Sequence, residues 1–331
     1  MKKRALCALV SLALCVTLAG QAAAAESSVS FVVNGITLAA DVPNRVEART
    51  TYVSYWPIVS ALYPNATAEW VNGQAEVKAD GLTLHIKPGA QYVEANGRYL
   101  YVPDGVKCEG YSIMVPIRTL CQALGAGVEW DGTQSTIQIT SGSGPILSGE
   151  QAYQADVVYW LSRIIYAESG NQPLDGKIAV GNVVLNRVAS PRFPNSVYEV
   201  IFQRNQFTPA ANGSINRTPS AESVVAAKLC LDGANTAGSA LYFVNPTVAP
   251  GSWASRNRPY VATIGAQKEL DYIEKHFKKP RPLVSAFYCA KAQQNGHVSP
   301  YLPVVMICAS CMKCPDRELR EKRMEISTRV C

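Results

Sequence analysis

Residues 29–141 carry one short pattern twice. In the first copy Tyr52-Val-Ser-Tyr-Trp-Pro57-Ile leads into a short helical stretch, Val59-Ser-Ala-Leu62, then Trp70 and the turn pair Asn72-Gly73. In the second, Ile113-Met-Val-Pro116-Ile leads into Leu120-Cys-Gln-Ala-Leu124, then Trp130 and Asp131-Gly132. Proline and tryptophan are 13 residues apart in one copy and 14 in the other. An alternating strand follows each turn, Ala75-Glu-Val-Lys-Ala and Thr136-Ile-Gln-Ile-Thr, with one apolar and one polar face. Leu82-Thr-Leu-His-Ile86 alternates in the same way. Two copies of a unit too small to bury its own apolar face pack on each other. A small repeated β-rich module over 29–141 is therefore predicted. Ser141-Gly-Ser-Gly-Pro145 reads as a flexible linker by composition, within a boundary segment 142–150.

The next segment changes period. Val157, Leu161, Ile164 and Ile165 form one apolar stripe of a helix over Asp156–Ser169. One more step along that stripe is Glu168, close to the end that Gly170 and Pro173 impose. An acid among apolar neighbours is driven toward its neutral form, and the negative end of the helix dipole acts the same way. A carboxylic acid kept protonated is what cleavage of a glycosidic bond needs. Helical geometry alone leaves open the plainer reading, an acid at a helix end pointing to water.

Charge and histidine content narrow the function classes. The net charge of +6 is uneven: residues 26–265 hold 16 Lys/Arg against 18 Asp/Glu, and residues 266–331 hold twelve against seven. The near-neutral body carries no nucleic-acid footprint. No His occurs between Asp156 and Gly265, so Ser-His and Cys-His hydrolases lack their base, and no zinc-peptidase spacing appears. His85 reads as a structural residue on its strand, and no metal or cofactor is expected. Lys2-Lys-Arg4, the apolar run Ala5–Leu18 and the Ala-rich stretch to Ala25 read as a signal peptide over 1–25, with an uncleaved anchor as the alternative. A secreted protein without a membrane span after cleavage is expected. Cys108 and Cys121 share one module and are candidates to pair outside the cytoplasm. Cys230 reads as a core residue.

The second copy, with Val115-Pro-Ile-Arg118, Ala123-Leu-Gly-Ala126 and Trp130-Asp131, makes residues 29–141 resemble the copper amine oxidase N-terminal-like domain. That resemblance implies a spacer or wall-adhesion module. A second resemblance rests on Tyr166-Ala-Glu168-Ser-Gly, Gly176–Val188, Ser190-Pro-Arg-Phe-Pro-Asn195, Val200-Ile-Phe202, Gln206–Ile215, Ala240–Pro246, Ser252-Trp253, Arg258-Pro and Thr263-Ile-Gly265. These motifs resemble the SleB-type cell wall hydrolase family, which includes spore cortex-lytic enzymes. The resemblance implies a mostly helical, lysozyme-like catalytic domain over 151–265, hence an α+β multidomain chain. It also implies one catalytic glutamate, mapping to Glu168. The implied activity is a peptidoglycan lytic transglycosylase, acting in cell wall or spore cortex. Its glutamate protonates the oxygen between N-acetylmuramic acid and N-acetylglucosamine, then takes the proton of the muramic C6 hydroxyl. A muramidase using water, and a non-catalytic wall-binding protein, remain alternatives. Many relatives carry a Gly-Glu-Pro run after the catalytic acid; here the run is Asn171-Gln172-Pro173.

Phe207, Tyr242 and Trp253 are candidates to stack on sugar faces, and Asn245 to bond an acetamido group. Core packing and a turn before Pro246 are their plainer readings. Asn186 and Arg187 cap or brace the site. Asp175 reads as a helix N-terminal residue, and Thr218-Pro219 as the start of a helix through Leu231. The family likeness stops at Gly265. The tail 266–331 is basic and Cys-rich, and Cys308-Ala-Ser-Cys-Met-Lys-Cys314 has ligand-like spacing. An unstructured tail or a shifted reading frame is the expectation there.

Overall fold

A computed structural model describes residues 29–244 and the strands Tyr260–Ile264 and Gln267–Leu270. The signal segment, Asn245, Trp253 and the tail beyond Leu270 lie outside the described residues.

The repeat becomes two copies of strand, helix and hairpin. The chain begins with β1 (Ser30–Val33), β2 (Ile36–Thr37) and β3 (Asn44–Glu47). The first copy is β4 (Thr50–Ser54), α1 (Tyr55–Leu62), β5 (Thr67–Val71) and β6 (Gln74–Ala79). Then come β7 (Leu82–Ile86), β8 (Tyr92–Ala95), β9 (Arg98–Tyr101) and β10 (Lys107–Glu109). The second copy is β11 (Ser112–Pro116), α2 (Ile117–Ala123), β12 (Ala126–Asp131) and β13 (Thr136–Ser141). The copies meet where β4 and β11 pair antiparallel, Val53 opposite Val115. Sheets β10-β11-β4-β3, β12-β13-β1-β2 and β5-β6-β7-β8-β9 surround one core that includes Phe31, Tyr52, Ile58, Leu84, Met114 and Leu120.

Asn72 and Gly73 take positive φ values of 50° and 78°, the backbone of the tight two-residue hairpin. The second hairpin differs from expectation. Its loop runs from Gly132 to Ser135, because the Asp131 carboxylate accepts the N–H groups of Thr133 (2.9 Å) and Gln134 (3.3 Å). His85 faces Glu94 across β7 and β8, with Nδ1 3.5 Å from the carboxylate. Cys108 is exposed and Cys121 is buried, and both are free thiols, so the expected pairing is not made. Burial pushes the Cys121 thiol up to about 12.

The presumed linker is strapped down instead of loose. Asn96 donates to the Ile146 carbonyl at 2.9 Å, and Gly149 N–H donates to the Asn96 carbonyl at 2.8 Å. Ser148 and Gln151 form a capping box on α3 (Gly149–Ala152). A Cβ on Gly142 would drive into the Gly125 carbonyl oxygen, and one on Gly125 into that of Gly144. These glycines serve close backbone approach, which composition alone cannot separate from flexibility.

The helical domain follows with α4 (Ala155–Ser169), α5 (Leu174–Ala189), α6 (Val197–Ile201), α7 (Thr208–Asn212) and α8 (Ala221–Leu231). Helices α4, α5 and α8 pack mutually, and the α4 stripe of Val157, Leu161, Ile164 and Ile165 is buried as predicted. Cys230 lies in this core and donates to the Ile178 carbonyl at 3.3 Å. Helix α8 starts later than Thr218-Pro219: Ser220 is its cap and accepts from Ser223 N–H at 3.2 Å. A three-stranded antiparallel sheet, β14 (Tyr242–Val244), β16 (Gln267–Leu270) and β15 (Tyr260–Ile264), in that order, packs on α5. Its strand β16 carries the ordered fold past Gly265.

Helical domain and β-module are joined by polar contacts. The Asp232 carboxylate, 2% exposed, accepts from Arg98 Nε at 2.9 Å, Tyr99 N–H at 3.3 Å and the Tyr153 hydroxyl. Asp175 is in the first turn of α5 without capping it; its carboxylate accepts from the Tyr101 hydroxyl at 2.6 Å and Gln91 Nε2 at 3.1 Å.

Close packing of the strap is testable by calorimetry. Gly142→Ala is expected to cost about 1–3 kcal/mol and lower the melting temperature, whereas Gly132→Ala, which meets the exposed Trp130 side chain, is near neutral. Equal melting temperatures for the two variants would contradict a closely packed strap.

Candidate active site

Glu168 lies in the last turn of α4, partly buried, on the wall of a cavity of about 380 Å³. Tyr166, Ala167, Gly170, Asn171, Ser214 and Arg217 complete the wall. Two of these arrive through one turn. Gly213 adopts φ 79°, a left-handed conformation closed to most side chains, and it ends α7 and starts the single 3-10 turn Ser214–Asn216. Ser214 and Arg217 are thereby brought opposite the end of α4. The cavity falls in the size range of small-ligand sites, and among the described residues that line it Glu168 is the only carboxylate. Asn171, which follows on the same wall, is neutral.

Burial raises the Glu168 carboxyl above the usual carboxylate range, and the Arg187 charge pulls part of that rise back. Arg187 is fixed on the last turn of α5 and is itself 4% exposed. Its Nε donates to the Leu241 carbonyl at 2.8 Å and its Nη1 to Gln206 Oε1 at 3.3 Å. Three rings surround the guanidinium, Phe193 at 5.1 Å, Phe207 at 5.0 Å and Tyr242 at 5.1 Å from the central carbon. Such a cage suits a weakly hydrated planar cation.

The cage places two of the expected sugar contacts. Phe207 is 4% exposed and Tyr242 is half-buried; both lie against Arg187, and neither lines the cavity. Their aromatic content was legible, but the cation that they enclose is distant in sequence. Asn245 and Trp253 fall outside the described residues. Asn186 is a brace: its amide donates to the carbonyls of Gly238 (3.0 Å) and Ala240 (2.9 Å). Asn182, one turn earlier, donates to the Ala234 carbonyl at 2.7 Å and accepts from Thr236 N–H at 2.9 Å. The polar side of α5 thus holds the segment 234–241 that leads into β14. Sequence reading missed Asn182, Gln206, Ser214 and Arg217; the i, i+4 spacing of Asn182 and Asn186 was the available signal.

Among the described residues no group of three or more His, Cys, Asp or Glu side chains is placed to hold a metal ion, and His85 faces Glu94. The residues of the β-module do not fit a copper site. No helix among the described residues is long and apolar enough to cross a membrane.

The raised proton affinity of Glu168 makes a stability prediction. Its charged form is disfavoured by folding, so its contribution to stability is lost as pH rises through its folded-state value. Glu168→Gln removes that penalty. The melting temperature of the variant minus that of the parent is expected to grow between about pH 4 and pH 7. A difference independent of pH would contradict the burial of this group.

Comparison with known proteins agrees with this architecture. Residues 171–268 match the Cell Wall Hydrolase family model, and residues 32–139 match the Copper amine oxidase N-terminal domain. The first match begins just past Glu168. A spore cortex-lytic enzyme of Bacillus cereus is 37% identical over 113 residues, covering 34% of this chain and 43% of the relative. One from Oceanobacillus iheyensis is 33% identical over 125 residues, covering 38% and 45%. The chain thus spans less than half the length of the curated relatives that it matches. The solved catalytic domain of the germination-specific lytic transglycosylase SleB from Bacillus anthracis is 34% identical, with 38% of this chain and 100% of that chain covered and a TM-score of 0.35. The chain thus carries a Cell Wall Hydrolase domain over residues 171–268, similar to spore cortex-lytic enzymes, with a copper amine oxidase N-terminal domain over residues 32–139 ahead of it.

Proposed function

We propose that the helical domain cleaves peptidoglycan glycan strands as a lytic transglycosylase, with Glu168 as acid and then base. The observation that carries this reading is a single carboxyl, its proton affinity raised by burial, on the wall of a cavity whose other lining residues include no acid among the described residues. A hydrolase of the usual two-carboxylate kind needs a second acid to activate water or to attack the sugar. A transglycosylase needs none, because the nucleophile is the substrate's own C6 hydroxyl.

The steps balance on one proton. Protonated Glu168 donates to the glycosidic oxygen as the bond to the muramic C1 breaks, and the leaving N-acetylglucosamine keeps that proton. The Glu168 carboxylate then accepts the proton of the C6 hydroxyl as its oxygen bonds to C1. The product is a 1,6-anhydromuramic end, and Glu168 is protonated again. Arg187 has a positioning role in this scheme: its charge limits how far burial raises Glu168, so the carboxylate form needed in the second step stays accessible.

The β-module is proposed as the wall-adhesion part of a secreted protein, and peptidoglycan of cell wall or spore cortex as its location. Sugar contacts by Asn245 and Trp253 belong to the same proposal. Phe207 and Tyr242 serve it indirectly, by holding Arg187.

Glu168→Gln is expected to lower glycan cleavage by about a thousandfold or more, read by mass spectrometry of digested peptidoglycan. Anhydromuramic ends from the parent support the proposal; water-added ends indicate a muramidase, and intact glycan indicates a binding protein. A second variant probes the positioning role. Arg187→Met removes the charge, so the basic limb of the pH–rate profile is expected to move to higher pH. A lower rate with an unmoved profile would leave Arg187 a purely structural role.

A further inference from the structure

Four aromatic rings form a cluster on the outer side of α4 and α6, apart from the cavity at Glu168. Trp160 contacts Tyr159 edge-on at 4.9 Å, Phe202 at 5.1 Å and Tyr198 at 5.4 Å between ring centroids, and Tyr198 lies 4.5 Å from Phe202. Core aromatics are covered, but here Tyr159 is 46% exposed, Tyr198 51% and Phe202 37%. None of the four lines the cavity. A contiguous exposed aromatic surface marks a contact site.

Its polar groups say what kind of contact. The central carbon of the Arg163 guanidinium lies over Tyr159, 3.9 Å from the ring centroid. Among the described residues no carboxylate pairs with it, and its Nε has no hydrogen-bond partner. A purely apolar protein face would cover the Arg163 charge without a counter-ion, at a cost. A glycan strand would not: its C–H faces stack on the rings, and the carboxylates of its peptide stems suit the guanidinium.

We propose that Tyr159, Trp160, Tyr198 and Phe202, with Arg163, form a second glycan-binding surface that holds a peptidoglycan strand away from the point of cleavage. The proposal rests on the reading of this domain as peptidoglycan-cleaving. Tyr159 and Glu168 share α4, nine residues and about 13 Å of helix apart on opposite faces, a path that a polymer of several sugars can span. Binding here raises the local concentration of substrate without touching the reacting bond.

The test uses the full chain carrying Tyr159→Ala and Tyr198→Ala, two exposed positions whose loss spares the core. Folding is checked by the melting temperature. In the Glu168→Gln background, co-sedimentation with purified peptidoglycan sacculi is expected to weaken about tenfold. With Glu168 present, cleavage of sacculi is expected to fall by a similar factor, while cleavage of short soluble glycan fragments stays within twofold. Unchanged co-sedimentation overturns the proposal. So does a change confined to self-association in sedimentation velocity, which would make the surface a contact between copies. Failure of the underlying reading is distinct, because the parent chain then releases no glycan fragments, whatever the tyrosine variant does.

Discussion

One carboxyl at the end of α4 is kept partly out of water, and a caged guanidinium on α5 keeps that exclusion from going too far. The apolar stripe that buries α4 carries Glu168 toward the interior. Burial favours its neutral form. Arg187 supplies the opposing field, and its position depends on Phe193, Phe207, Tyr242, Gln206 and the Leu241 carbonyl together. Loop 234–241 is in turn held by Asn182 and Asn186 on the same helix. The site is therefore the meeting of two helix ends and one pinned loop.

The two domains are coupled by groups that look ordinary alone. Asp232 and Asp175 each lie at a helix boundary, where acids and turns are common. Each spends its carboxylate on the β-module, through Arg98 and Tyr153 in one case and through Tyr101 and Gln91 in the other. With the strap of Gly142, Gly144 and Ile146, these contacts fix the module against α5 and α8. A module held this way does not trail from a flexible tether.

Local patterns were legible in the sequence; partners far along the chain were not. The repeat, the Asn72-Gly73 hairpin, the α4 stripe and the inward place of Glu168 all follow from periods of two and 3.6 residues. Misreadings share a cause. Gly142 looked like flexibility because the clashing Gly125 carbonyl belongs to another element. Asp175 takes its expected place in the first turn of α5, but the Tyr101 hydroxyl that its carboxylate accepts from is 74 residues away. Phe207 looked like a sugar platform because nothing nearby in sequence announces the buried Arg187. Ser220 displaced Thr218 as a cap because two adjacent signals compete and tertiary packing chooses.

The account stands or falls on the proton of Glu168. Carbon-13 NMR titration of the labelled side-chain carboxyl, assigned by its loss in Glu168→Gln, measures it directly. The account predicts a midpoint above that of an ordinary glutamate, moving higher still when Arg187 is replaced by Met. A midpoint at or below the ordinary value, unmoved by that replacement, would contradict it.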